Sequence, residues 1–463
     1  MFYKDKKAYD VKIAYIGGGS RGWAWGLMTD LALAEDMCGS VYLYDIDYQA
    51  AKNNEIIGAK VCEDEKCKSV WEYKAVETID EALKDADFVV ISILPGTFDE
   101  MESDVHTPEK YGIYQPVGDS TGPGGIVRAL RTIPMIEKIA RAVEKHCPKA
   151  WVINYTNPMA ICVKTLYEIF PKIKAFGCCH EVFGTQNLLK AALEKLCNIT
   201  DVKREDININ VLGVNHFTWI TRAQYMDIDL IELYRRFVKF SRESNFEIGN
   251  DDHWINNKFI SGQKVKFDLF DRYGYIAAAG DRHLAEFCKK EWYLKDPQTV
   301  SDYGFELTTV KWRKKDLEER LAKSSRILSG EEKFEFKETG EEGVNQMRAL
   351  LGLCKLTTNV NIPNMGQIPN LPIGAVVETN ACFRSNSLEP IFAGYVPDNI
   401  YPLISRVVSE QLEVVRGGID RDLCRAFNAF MNSPLVDIDL ENTKVLFDEM
   451  IENTKKYLED YNI

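Results

Sequence analysis

Two short stretches concentrate side chains able to do chemistry. "GCCHEVFG" sets Cys178, Cys179, His180 and Glu181 side by side after an apolar run. "GVNHFTW" ends another apolar run on Asn215 and His216. Neighbouring cysteines rarely pair, and neither a CxxC nor an HxxxH zinc spacing stands in either stretch. A thiolate and an imidazole are soft-to-borderline metal ligands. Cys179 and His216 are too far apart for a finger, but they suit ligands carried by two separate strand ends. Two protein ligands leave positions open for substrate oxygens and water, as Lewis-acid catalysis requires. The competing explanation is a hydrogen-bonded core histidine and a buried cysteine. Spacing alone leaves both open.

The elements that must position these groups are legible upstream. "VKIAYIGGGSRGWAWGLMTDLAL" reads as strand, glycine turn and helix, with Gly17, Gly19 and Gly22 in a GxGxxG pattern and Ser20 inside it. Gly17 permits the tight turn, Gly19 lets backbone approach a pyrophosphate, and Gly22 lets helix pack on strand. The next strand, "SVYLYDID", ends on Asp45. A carboxylate there suits the ribose hydroxyls of NAD and repels the 2′-phosphate of NADP. Asp47 is the competitor, which would merely cap the turn. Further strands, "ADFVVISI", "AWVINYTNP" and "IKAFG", alternate with helical patterns, so a right-handed parallel sheet is expected. Asn157 and the cysteine pair then fall at the carboxyl edge, where ligands bind. "GDSTGPGGIVRALRTIP" reads as a loop feeding a helix, with Asp119 near the site; Arg128 and Arg131 share a helix face, as surface charge or as the seat of an anionic group.

The fold expectation is therefore α/β: an N-terminal Rossmann-type doubly wound parallel sheet over 1–200 that binds NAD. An α+β substrate-binding and oligomerisation domain over 201–463 follows it. There, "NLPIGAVVETN" and "VETNACF" read as strands that close over the site. The 463 residues are 45% hydrophobic, enough for two domains, and carry a net charge of −13, which argues against nucleic acid and anionic membranes as partners. The opening residues pass from charge straight into a strand, and no apolar run is long enough to span a bilayer. Twelve scattered cysteines point to reduced thiols and a cytoplasmic setting. A homodimer or homotetramer is expected of such a fold.

From end to end the chain resembles glycoside hydrolase family 4, the NAD- and metal-dependent glycosidases. "IAYIGGGS", "VGDSTGPGGIVRALRTIP", "INYTNP", "GCCHEVFG", "GVNHFTW", "GDRHLAEF" and "NIPNMGQIPNLP" carry the resemblance. It implies Cys179 and His216 as metal ligands, Mn²⁺ as the ion and Asn157 as a substrate contact. It also implies redox chemistry in place of the usual carboxylate pair: hydride removal at sugar C3, C2 deprotonation, elimination, water addition and hydride return. The family's tyrosine base falls on Tyr275, with Tyr273 and Asp281 as alternatives. His180 stands where some members carry a leaving-group acid. The "CHEV" signature resembles the subgroup that cleaves α-galacturonides. Arg282 and His283 are then the cations for the uronate, or else the ion pair of a helix start. The rivals are an α-galactosidase or α-glucuronidase of the same mechanism and, more distantly, a malate- or lactate-type dehydrogenase.

Overall fold

The computed structural model describes residues 1–244, 259 and 261–461. The first half contains β1 (Phe2–Lys4), β2 (Lys7–Ile16), β3 (Met37–Tyr44), β4 (Trp71–Val76), β5 (Phe88–Ile91), β6 (Trp151–Asn154) and β7 (Lys174–Gly177). The second contains β8 (Asn208–Val214), β9 (Phe217–Tyr225), β10 (Ile228–Asp229), β11 (Ile276–Ala277), β12 (Leu356–Pro363), β13 (Val376–Arg384) and β14 (Ser387–Pro390).

Strands β4-β3-β2-β5-β6-β7 lie parallel in that order. Parallel strands covered on both faces must be apolar throughout, and "FVVI" of β5 is buried at every position. Alternate side chains feed two layers. Ile13, Tyr15, Leu43 and Val90 pack on one face, and Ala14, Ile16, Val89 and Val152 on the other. The order reverses between β2 and β5, which makes their carboxyl ends the switch point of a doubly wound sheet.

The sheet does not stop at residue 200. β12 runs antiparallel to β7, with Asn361 opposite Gly177, and β13 and β14 continue outward. The strands expected to close over the site extend the main sheet instead. The reason is that β7 would otherwise present an unpaired edge of N–H and C=O groups. β8 to β11 form a separate antiparallel sheet. Its β8–β9 hairpin turns tightly, pairing Val214 with Phe217.

Candidate active site

The glycine turn is built as its residue types demand. Gly17 has φ +95°, a region L side chains avoid, and an added Cβ would lie 2.0 Å from the Ser92 carbonyl at the end of β5. The Gly17 and Gly18 amides both donate to the Tyr44 carbonyl at 2.9 Å. Asp45 accepts from the Gly19 amide at 2.8 Å. Asp47 caps the following helix through Ala50 N–H, while Asp45 pins the glycine turn. Ser20 Oγ accepts from Gly22 N–H at 3.4 Å. Asn54, fully buried, spans the turn by donating to the carbonyls of Gly18 and Ser20 at 2.7 and 2.9 Å and accepting from Trp25. Nothing in the glycine motif pointed to this asparagine.

At the same edge, Asp119, His216 and His283 bring one donor atom each within 4.8 Å of one another. Asp119 precedes the helix Gly122–His146, and His283 lies in the helix Asp281–Glu286. His216 sits in the hairpin turn at φ +63°, an uncommon conformation for a residue with a side chain. The rings of His216 and His283 have centroids 3.8 Å apart. Asp119 and His283, assigned from the sequence to the substrate, thus join His216 as a group able to hold a cation. Packing between distant elements, not spacing, makes that set.

The donor chemistry fits a divalent ion. Burial pulls His216 down to about 4, helped by His283 and opposed by Asp119 and Glu181. Burial also lowers His283. Both rings are therefore neutral, as ligands must be. Burial opposes ionisation of Asp119, but His216, His283 and Arg128 outweigh it and hold the carboxyl at about 2. The tautomer of His216 follows from the network. Ser120 Oγ donates its single proton to Asp119 Oδ1 at 2.8 Å, so His216 Nδ1, 2.9 Å from that oxygen, must be the donor. Nε2 is left with its lone pair free. Imidazole and carboxylate suit Mn²⁺ among other divalent ions.

Cys179 stands outside that cluster. It is 4% exposed, packs against Met159, Ala160, Val163 and Val376, and has Asn215, the neighbour of His216, beside its thiol. Burial, with Glu378 and Glu181 adding, pushes the thiol well up, so only a bound cation would leave it a thiolate. Glu181 accepts the Gly280 amide at 2.7 Å and faces both His180 and His283 at 3.7 Å. Burial opposes its ionisation, yet His283, His180 and His216 hold it well below the usual carboxylate range. The other nitrogen of His180 is 3.4 Å from Glu341, a buried carboxylate that no motif announced.

The remaining sequence assignments spread out. Asn157 donates to Asp119 at 3.2 Å. Tyr275 is half-buried beside the second-half core, with no hydrogen bond among the described residues. Tyr273 packs its ring edge-on against Trp219. Asp281 accepts the amides of Val265 and Lys266 at the start of the helix Lys264–Tyr273, and burial pushes it up to about 6. It is a cap, but for the neighbouring helix. The Arg282 guanidinium lies 3.8 Å over the Phe259 ring. Neither Arg128 nor Arg131 is surface charge, at 5% and 0% exposed. Arg131 makes a forked pair with Asp104 and donates to the Pro95 carbonyl.

Fold and site define a class: an enzyme on a dinucleotide-type doubly wound sheet, with a histidine–carboxylate cluster at its carboxyl edge. The Family 4 glycosyl hydrolase pattern matches residues 12–195, and that family's C-terminal domain matches 211–436. An alpha-galacturonidase of Thermoanaerobacterium saccharolyticum is 63% identical over 463 residues, 100% of both chains. The chain belongs to family 4 of the glycosyl hydrolases. A solved Bacillus subtilis structure described as a glucosidase is similar at a TM-score of 0.90 and 50% identity, over 96% of this chain and 100% of that one. A 6-phospho-beta glucosidase from Thermotoga maritima, solved with manganese, NAD⁺ and glucose-6-phosphate, shares the fold at a TM-score of 0.76 and 22% identity, over 96% and 99%. Among the described residues no helix is long and apolar enough to cross a membrane. Membership in a glycosidase family sets the dehydrogenase reading aside.

Proposed function

We propose that this protein hydrolyses α-galacturonides by transient oxidation of the sugar, with NAD and a divalent metal, Mn²⁺ by preference, as cofactors. The observation that carries the reading is the cation-ready cluster of Asp119, His216 and His283 on the sheet edge that also carries the glycine turn. The galacturonide is favoured by the name of the Thermoanaerobacterium relative, 63% identical over its whole length. When bound, NAD supplies a reversible hydride acceptor at C3, and the metal supplies Lewis acidity at the adjoining sugar oxygens.

The chain's own residues would do the rest. The turn at Gly17, Gly19, Ser20 and Gly22 seats the pyrophosphate, and Asp45 accepts the ribose hydroxyls. His216, with Asp119 and His283, would hold the ion, and Cys179, outside that cluster, would join them as a thiolate once the ion is bound. Asn157 orients a sugar hydroxyl. Tyr275 takes the C2 proton in preference to Asp281, whose two oxygens already serve backbone amides. His180, flanked by Glu181 and Glu341, offers the leaving oxygen a proton. A division near residue 200, with β12–β14 of the second part completing the first part's sheet, a homo-oligomer and a cytoplasmic setting belong to the same proposal; all twelve cysteines are free, as a reducing compartment requires.

The test is hydrolysis of p-nitrophenyl α-D-galacturonide with NAD⁺, Mn²⁺ and dithiothreitol, omitting each in turn, beside the galactoside and glucuronide. Cleavage that needs NAD⁺ yet accumulates no NADH is expected. Cleavage of a neutral galactoside in preference would overturn the sugar assignment, and cleavage without NAD⁺ would overturn the mechanism.

A further inference from the structure

Two arginines one helical turn apart have opposite fates. Arg131 is satisfied on every side by Asp104 and Pro95. Arg128 is nearly as deep, at 5% exposed, but uses only Nε, which donates to the Asn157 carbonyl at 3.2 Å. Among the described residues, no hydrogen bond or ion pair engages its two terminal nitrogens. A deep guanidinium whose fork is left open to the site is a ready receptor for an anion.

Its surroundings say what fills it. The Asn157 that anchors Arg128 also donates to Asp119, a member of the cation-ready cluster, so the fork lies beside the reacting sugar. Asn157 Oδ1 is buried without a partner and points to a hydroxyl donor close by. Arg313, in the first turn of the helix Val310–Ser329, is a second guanidinium without a hydrogen bond or ion pair among the described residues. Its charge interacts with Asp119, Asp316 and Glu286, and Arg128 interacts with Asp119 and Arg313, so the two guanidiniums lie within electrostatic reach of the same Asp119. Asp119 and Glu181 already crowd the site with negative charge, and an anionic sugar entering it needs cations not yet committed. Arg282, on the Phe259 ring, is placed less directly for this.

We propose that the Arg128 fork, backed by Arg313, is the seat of the substrate's carboxylate, a specificity-determining contact that rests on the galacturonidase reading above. A planar carboxylate accepts two parallel N–H bonds from such a fork, which an ammonium cannot offer. Asn157 Oδ1 takes a neighbouring hydroxyl of the same ring.

The test is calorimetric binding of D-galacturonate and of D-galactose to the NAD⁺- and Mn²⁺-loaded protein. Wild type is expected to prefer the acid. Arg128→Gln is expected to weaken the acid by about 10²-fold and galactose by less than about threefold. Arg313→Gln is expected to give a smaller loss, about tenfold, confined to the acid. Equal losses on both sugars, or none, would overturn the seat while leaving the galacturonidase reading intact. A wild type that binds both sugars alike would sink that reading and the seat with it. Should Arg128→Gln not fold, as judged by lost NAD⁺ binding, Arg128→Lys decides. It is expected to lose about tenfold on the acid alone, and an unchanged acid affinity would count against the fork.

Discussion

The glycine turn and the histidine–carboxylate cluster face each other across one sheet edge but are built in opposite ways. The turn is local: two strands, two helices and their backbone amides supply nearly all of it, with Asp45 and Asn54 as the side chains that pin it. The cluster is remote. Asp119, His216 and His283 arrive from a loop, a hairpin and a short helix scattered over both halves. A local site is fixed by steric rules at each residue. A remote site is fixed only if every element beneath it packs correctly, so it depends on polar relays such as Ser120.

That contrast can be broken by mutation. The largest effect is expected from His216→Ala: Mn²⁺ binding lost and kcat down by roughly 10³-fold or more, the scale of a missing Lewis acid. NAD⁺ affinity should stay within about threefold, as read by calorimetric titration. A parallel loss of NAD⁺ binding would show that the two regions are not separate. Ser120→Ala removes the relay that fixes the His216 tautomer. Mn²⁺ affinity should fall about 10- to 100-fold by titration, with Ser120→Thr restoring most of it. Asp45→Asn is the mirror case: NAD⁺ should weaken by about tenfold with Mn²⁺ affinity unmoved. The smallest effect concerns stability. Asp30, on the helix after the glycine turn, is bonded to Thr339 from the second half, and burial raises its carboxyl from 3.8 to about 7. The unfolded chain ionises first, so this group's contribution is complete below about pH 4 and is lost as pH rises through about 7. Asp30→Asn should narrow the drop in melting temperature between pH 5 and pH 8 by roughly 1–2 °C.

The same contrast explains how much the sequence disclosed. The places of Gly17, Gly19, Gly22, Asp45 and Asp47 in the turn were legible because they follow from backbone geometry within one βαβ unit. The sheet edge was legible for Asn157, Cys179 and His180, because strand ends are. The partnership of Asp119 and His283 with His216 was not, since it rests on packing between distant elements, and the family resemblance pointed to Cys179 instead. Glu341 and Arg313 carry no motif and appear only once the second half is folded against the first. β13 was legible as a strand but not as part of the main sheet, because periodicity does not name a partner, and β12, which joins it to β7, was not read from the sequence.

The antiparallel seam between β7 and β12 has a consequence for how the chain is made. Gly177 leaves the ribosome well before Asn361, its partner across that seam. At about 5–20 residues per second the delay is on the order of 10–40 s. During that interval a nearly complete parallel sheet carries a bare, apolar outer strand, a template for pairing with another nascent chain. The amino-terminal half is therefore a poor candidate for independent expression. Slow elongation before residue 363 should favour aggregation over yield, and a chaperone that shields that one edge should be the factor limiting recovery of the whole enzyme.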